Sequence, residues 1–481
     1  MLYLRSDSPI TIFEGLQAQA RIEVRRGASE VLGTVNLVHG ALLATDELGL
    51  SEAAWRALGG EDGELVHLTH APQQDAFSVV REKIFGRPLG PVAARTIMGN
   101  IVAGRYSDIE MAAFITACAG DRMDIAETIA VTCAMVESGA QLSWDTDIVV
   151  DKHCIGGLPG NRTTMLVVPI VAACGLTIPK TSTRAITSPA GTADTMETLA
   201  PVDLDLAAMR RVVAREGGCI VWGGTVSLSP ADALLIRVER LLGLNSAGLL
   251  VASVLSKKIA AGASHVLIDI PVGPSAKVRS VRAANVLRER LYTVGRELGI
   301  AVHTVLTDGR QPVGRGIGPA LEAFDVLAVL QDDPNAPQDL RERSLVLAAG
   351  VLEMGGRAAP GEGMALASAT LASGTAWRKF QTICEAQGGM RMPPRAAFTH
   401  SVEARHHGRI GAIDNRVLAK LAKLAGAPKS AAAGILFHAP IGACVQAGQP
   451  LFTLHAESPG ELACAVAHAR AQAHFIAIEP F

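Results

Sequence analysis

At 481 residues the chain exceeds what a single core usually organises, so several domains are expected. Charge is nearly balanced, 44 Lys and Arg against 46 Asp and Glu with no block of like charge, which argues against a nucleic-acid polymer held by phosphate neutralisation. Eight cysteines lie scattered without a C-x-x-C pair and read as reduced; the N-terminus lacks a signal-peptide core, and the most apolar run, Met165 to Leu176, is too short to span a membrane. A cytoplasmic protein without a membrane partner is expected.

Residues 1–80 read as a β-rich N-terminal domain, with ARIEV, VLGTVNLV and ELVHLTHA separated by Gly, Asp and Asn. A helical domain is predicted over 81–148. Ser107-x-x-Glu110 and Asp124-x-x-Glu127 are capping boxes, the second ahead of Ile125, Ile129, Cys133 and Val136 at helical spacing. Residues 229–262 read as its continuation, so this domain is discontinuous in sequence.

From 149 the pattern alternates: DIVVDKH, the apolar segment after the glycines, CIVWGG, HVLIDIPVG and VHTVL. Such alternation predicts an α/β domain with a mostly parallel central sheet, over 149–228 and 263–395. Residues 396–481 read as a C-terminal α+β domain, with strands in GRIGAIDNR and APIGACVQAGQPLFTLHAE and a helix in LACAVAHARAQA.

Three segments carry chemistry. DKHCIGGLPGNRTT, 151–164, has the layout strand, glycine loop, helix start. Gly156, Gly157 and Gly160 let backbone N–H groups approach an oxyanion, Lys152 supplies a charge, and Thr163 and Thr164 supply hydroxyls. A tight turn with a solvated lysine is the plain alternative. No Walker loop fits, because the second glycine position is Asn161 and Arg162 follows; Gly314-Arg-Gly316-Ile-Gly318 misses the dinucleotide fingerprint at Pro319.

In KTSTRAITSPAGTADTMETLAP, 180–201, the hydroxyls of Ser182, Thr183, Thr187, Ser188 and Thr192 crowd around Arg184 and Gly191, before a helical ADTMETL. Such clusters are often only helix caps. Two donor-rich loops, each near a helix start, could instead hold one phosphate from two sides or two phosphates. In RVERLLGLNSAGLLVASVLSKK, Ser253 and Lys257 share a helical face and Arg237 precedes them; from spacing alone Lys257 and Lys258 read rather as a solvated helix end.

These residues resemble the thymidine and pyrimidine-nucleoside phosphorylases. Ser182-Thr-Arg184-Ala-Ile-Thr-x-x-x-Gly191-Thr192-x-Asp194-x-x-Glu197 is similar to the family signature, Asp151-Lys152-His153 with its glycine loop to the phosphate loop, and Arg237, Ser253 and Lys257 to the base-binding trio. The resemblance runs from about residue 85 to the C-terminus. The N-terminal domain, Pro159 and the wording KTSTRAITSPAGTAD resemble the AMP phosphorylase branch and its bacterial relatives.

The resemblance implies catalytic roles for His153, Arg237 and Lys257. It implies phosphate contacts from Lys152, Cys154, Gly157, Thr164, Ser182 and Thr192, and substrate contacts from Thr183, Arg184, Ala185, Ile186, Thr187, Ser188, Asn245, Ser253 and Lys277. Two positions depart from the pattern. Cys154 replaces the usual serine and is a weaker donor, and Asn245 replaces an aspartate that would protonate a purine, which an amide cannot do.

A pyrimidine leaving as an anion beside Arg237, Lys257 and a protonatable His153 is therefore expected, with thymidine and phosphate giving thymine and 2-deoxyribose 1-phosphate. The alternative is phosphorolysis of AMP or another nucleoside 5′-monophosphate to base and ribose 1,5-bisphosphate. Inorganic phosphate is a co-substrate; no cofactor or metal is expected, and the resemblance implies a homodimer or larger homo-oligomer. The rivals are a Mg²⁺-dependent phosphoribosyltransferase, a carrier module built on VQAGQPLFTLHAE, which lacks an acceptor lysine at the hairpin tip, and a regulatory nucleotide binder.

Overall fold

The computed structural model describes residues 1–70, 76–185, 188–244, 246–472 and 474–480. The chain divides into two units, residues 1–118 and 119–481. In the first, β1 (Leu2–Arg5), β2 (Arg21–Arg26), β3 (Ser29–Val38), β4 (Gly49–Leu50) and β5 (His67–His70) form one sheet in the order β4-β1-β3-β2-β5. Alternation along the strands buries Leu2, Leu4, Ile22, Val24 and Val35 on one side, where they make the core of this sheet. Helices Ala76–Ile84, Pro91–Val102 and Asp108–Ala117 follow. The Ser107 box forms as the sequence predicts, with Ser107 Oγ accepting from Glu110 N at 3.3 Å and Glu110 accepting from Ser107 N at 2.7 Å.

The second unit opens on helix Ile125–Glu137, started by the Asp124 box, which packs on helix Ala247–Ala260. The close approach is local: a Cβ on Gly248 would lie 2.7 Å from Met123 Cβ.

Five parallel strands carry the centre of this unit: β6 (Val150–Cys154), β7 (Ile178–Ser182), β8 (Gly218–Trp222), β9 (His265–Val272) and β10 (Ala301–Asp308). β10-β9-β6 form one ladder and β7-β8 another, and a parallel bridge between Val149 and Thr177 joins them at β6 and β7. The mostly parallel sheet expected from the sequence is present. β7 was hidden among polar residues, because IPKTS begins with Ile and Pro and ends in hydroxyls.

Helix Thr164–Ala173 packs wholly inside, with Met165, Leu166, Val167, Val168, Ile170 and Val171 all at 0 % exposure. The large core around it draws on helices Pro319–Leu330, Gln338–Met354 and Thr375–Ala386. A segment this apolar has no polar face to show to water and must be covered on all sides. Gly316–Ile317 pairs antiparallel with Gly434–Phe437, joining a sheet completed by Pro450–Ala456 and Phe398–Glu403. The near-fingerprint glycines thus serve a strand crossing, where a Cβ on Gly316 would meet Leu321 O at 2.2 Å. A second sheet of Cys444–Val445, Gly408–Ile413 and Ile476–Glu479 and helix Pro459–Ala471 complete the C-terminal α+β region.

Candidate active site

The three chemical segments meet at the carboxyl end of the parallel sheet, where open α/β sheets bind ligands. β6 delivers Lys152 and Cys154 to one face and Asp151 and His153 to the other, since neighbouring strand residues alternate. Lys152 is 1 % exposed, and its Nζ donates to Thr163 Oγ1 at 2.5 Å. Burial pushes its pKa down from 10.5. Among the described residues no carboxylate pairs with it.

Cys154 accepts from Asn161 Nδ2 at 3.1 Å, and the same amide donates to Asp269 Oδ2 at 3.2 Å. Burial and then the Asp269 carboxylate push the thiol up to about 12, so it stays protonated. Asp269 is itself fixed by Thr307 Oγ1 at 2.6 Å. The loop turns through Gly156, Gly157 and Gly160, all at positive φ. At Gly157 a Cβ would fall 2.5 Å from Lys277 N, so only glycine lets this loop lie on the Lys277 backbone.

Arg162 then reaches the second loop. Its Nε donates to Glu322, an end nitrogen donates to Thr192 Oγ1 at 3.1 Å and the other to Ala190 O at 2.8 Å. Arg162 is 8 % and Glu322 1 % exposed, and Glu322 also accepts from Gly318 N at 3.1 Å. Thr164, 6 % exposed, begins the helix behind this cross-tie.

Ser182 ends β7 with its hydroxyl buried and without a partner among the described residues. Thr183 is exposed; its carbonyl lies 2.4 Å from where a Gly191 Cβ would stand. Asp194 closes the loop by accepting from Ala185 N at 2.6 Å and Gly191 N at 2.8 Å. Arg184 is turned to acids: it donates to Glu197 through both end nitrogens, meets Asp203 at 3.3 Å, and stacks 4.8 Å over the Trp222 ring. Ser188 Oγ donates to Ala190 O at 2.8 Å. Ile186, Thr187 and Asn245 lie outside the described residues.

On the third segment, Lys257 Nζ lies 2.7 Å from Asp232 Oδ2 and donates to Ser253 Oγ at 3.2 Å, which orients the helical pair. Asp232 is 2 % exposed at the start of helix Pro230–Leu242. Glu239 follows it by two turns on the same face, and burial followed by the Asp232 charge raises its carboxyl pKa. Arg237 is exposed and turned about 140° from Asp232 around that helix. The structure joins Ser253 and Lys257 directly. Lys277 is open to solvent, yet lies among Glu239, Lys257, Asp232 and Cys154, and burial lowers its pKa.

His153 lies between the two clusters. Burial, then Lys258, Lys180, Lys257 and Lys152, push its pKa well below 6.5. The ring is neutral at neutral pH, unlike the protonatable ring expected from the sequence, because it is buried and because Lys258, Lys180 and Lys257, from two elements distant along the chain, join the adjacent Lys152 around it.

Sequence reasoning missed Asp232, Asp269 and Glu322, and met Asn161 and Arg162 only as misfits to a Walker loop. The signal for Arg162 was its place inside a glycine loop that otherwise binds anions. Nothing local marks Asp269 or Glu322. Among the described residues no three His, Cys, Asp or Glu side chains gather to hold a metal ion, and no helix is long and apolar enough to cross a membrane.

Residues 146–377 match the glycosyl transferase family α/β domain, 78–139 the helical bundle domain of the same family, and 409–475 the pyrimidine nucleoside phosphorylase C-terminal domain. A protein of Polaromonas sp. strain JS666 bearing the name "Putative thymidine phosphorylase" is 59% identical over 476 residues, 99% of this chain and 93% of that one. Similarly named proteins of Acidovorax sp. strain JS42 and Legionella pneumophila strain Corby are 60% and 55% identical, covering 98% and 96% of this chain and 92% and 89% of theirs. Anthranilate phosphoribosyltransferases of Thermus thermophilus and Saccharomyces cerevisiae share the fold. Their TM-scores are 0.51 and 0.52 at 21% and 14% identity, over 64% and 65% of this chain and 99% and 98% of theirs.

Proposed function

We propose that this chain, which belongs to the thymidine and pyrimidine-nucleoside phosphorylase family, converts thymidine and inorganic phosphate to thymine and 2-deoxyribose 1-phosphate. The reaction moves C1′ from a base nitrogen to a phosphate oxygen through an oxocarbenium-like transition state. The protein has to fix phosphate beneath C1′ and stabilise the departing base as an anion.

Lys152, Ser182 and Thr192 hold the phosphate, with Gly157, Thr164 and the Cys154 thiol completing its surroundings. Lys257, Ser253 and Lys277 face the base, Arg237 is assigned there from the family pattern, and neutral His153 offers a ring N–H to a base carbonyl. Thr183, Arg184, Ala185 and Ser188 of the second loop are assigned to the substrate from the family pattern. Closure of the elements around the sugar keeps water from the cation.

One observation carries this reading: a buried ammonium that, among the described residues, bonds only to the neutral Thr163 hydroxyl lies one strand from a buried Ser182 hydroxyl that has no partner among them. Both lack what an entering phosphate supplies. Base release from thymidine, uridine, cytidine, AMP, CMP and UMP, with and without phosphate, tests it. Phosphate-dependent release from thymidine is expected, and release from the monophosphates alone would displace it.

A nucleoside 5′-monophosphate is the second reading. Its candidate 5′-phosphate site is a cleft of about 530 Å³ beside the second loop, where Arg391 and Lys429 join Arg184 and the acids Asp194 and Glu197 also line the wall.

A further inference from the structure

Asn415 stands in the C-terminal α+β region at the first position of helix Asn415–Leu424 and is 1 % exposed. It reaches out of its own region with two donors. Its backbone N–H, one of those a helix start leaves without an intrahelical acceptor, donates to Ser275 Oγ at 3.3 Å. Its side-chain Nδ2 donates to Gly309 O at 3.1 Å. Asp414 already caps the helix by accepting from Arg416 N at 2.9 Å, so the Asn415 amide is not needed for that task.

Ser275 and Gly309 belong to the loops that leave β9 and β10 at their carboxyl ends, and both loops lie against the first glycine loop. After β9 the chain turns back, with Gly273 N donating to Val278 O at 3.1 Å, and sets Lys277 N 2.5 Å from where a Gly157 Cβ would stand. After β10, Val313 N donates to Pro159 O at 3.2 Å, and a Cβ on Gly160 would fall 2.2 Å from Val313 O. The two loops also touch each other: Gly309 N donates to Val272 O at 2.9 Å, and a Gly273 Cβ would lie 2.3 Å from Gly309 O. The first glycine loop thus rests on two others, and one buried residue from the C-terminal region ties that pair together.

The amide is held there at a cost. Asn415 Oδ1 is buried and has no partner among the described residues, so an apolar side chain would fill the place with less loss if packing were all that mattered. What the asparagine adds is the Nδ2 donor to Gly309.

We propose that Asn415 and Ser275 are positioning residues through which the C-terminal region sets Lys277 against the first glycine loop, and with it the spacing between the base side and the phosphate side of the site. The consequence for catalysis rests on the phosphorolysis reading; the tie itself does not.

Amide hydrogen exchange of the full chain, read by mass spectrometry over residues 156–160, 273–278 and 309–313, tests the tie without substrate. In Asn415→Ala, exchange in all three segments is expected to quicken about tenfold, with helix Thr164–Ala173 unchanged. kcat/KM for phosphorolysis is expected to fall on the order of tenfold, as a small misplacement of contacting groups would cause. In a Lys277→Ala background the same substitution should cost less than about threefold, because little is left to position. A residue needed for stability alone would cost the same in both backgrounds. Ser275→Ala removes the other tie and should act in the same direction, with recovery in Ser275→Thr. A folded Asn415→Ala protein, with a cooperative melt, whose exchange in these segments equals that of the original chain would overturn the proposal; so would an equal loss of kcat/KM with and without Lys277. If Asn415→Ala does not fold, the exchange comparison of Ser275→Ala with Ser275→Thr decides. Absence of phosphorolysis in the original chain would sink the functional reading and leave the exchange comparison standing.

Discussion

Arg162 leaves the first glycine loop and donates to the Thr192 hydroxyl of the second at 3.1 Å, so the two donor loops are one construction. Its charge is matched inside by Glu322. Arginine suits this place because its planar fork serves a carboxylate, a hydroxyl and a carbonyl at once.

Arg162→Leu leaves the Glu322 carboxylate buried and unpaired, and is expected to cost about 3–5 kcal/mol of stability. Denaturant unfolding of this variant and of Arg162→Leu/Glu322→Leu checks it. The double variant should recover part of the loss; equal stability of the single variant and the original chain would show that the pair holds nothing.

Ser182→Ala separates function from structure. The hydroxyl is buried without a partner among the described residues, so its removal should change stability by less than about 0.5 kcal/mol. KM for phosphate should rise roughly tenfold, the worth of one good hydrogen bond. Unchanged phosphate kinetics would remove Ser182 from the site.

Lys257→Ala is expected to lower kcat/KM by about 10²-fold or more, since the charge facing the leaving base disappears. Asp232→Asn loosens the 2.7 Å pair that aims Lys257 and should act less, mainly on the nucleoside KM. Steady-state kinetics of both proteins decide; full activity of Lys257→Ala would contradict its assignment.

The sequence announced what is local. Both capping boxes form between residues three apart, and the glycine loops lie where strand, Gly and Thr follow one another. Ser253 and Lys257 bond because one helical turn separates them. The supports were not legible, because their partners are remote: Arg162 and Glu322 are 160 residues apart, Asn161 and Asp269 are 108 apart, and Lys258 finds Asp151 across 107. For the same reason the neutrality of His153 could not be read from its immediate neighbours. Arg184 reads as a substrate contact from the family pattern, and the fold turns it to Glu197 and Asp203.

Asp325 gives a pH test of the support beneath Gly316. Its carboxylate accepts from Arg315 N and Gly316 N at 2.7 Å each, but burial wins and pushes its pKa from 3.8 up to about 6. The folded chain therefore holds the Asp325 proton more tightly than the unfolded chain. This contribution is complete below about pH 4 and is lost as pH rises through about 6. Relative to Asp325→Asn, whose amide oxygen can accept both N–H groups, the original chain should lose about 3 kcal/mol of unfolding free energy between those limits. A pH-independent difference between the two proteins would show that Asp325 does not titrate there.

Phosphorus NMR of the purified protein with thymidine and inorganic phosphate tests the central claim most directly. The account predicts that the inorganic phosphate signal falls as a sugar 1-phosphate ester signal grows, in step with free thymine. Thymine released while inorganic phosphate stays unchanged would mean hydrolysis, and would contradict it.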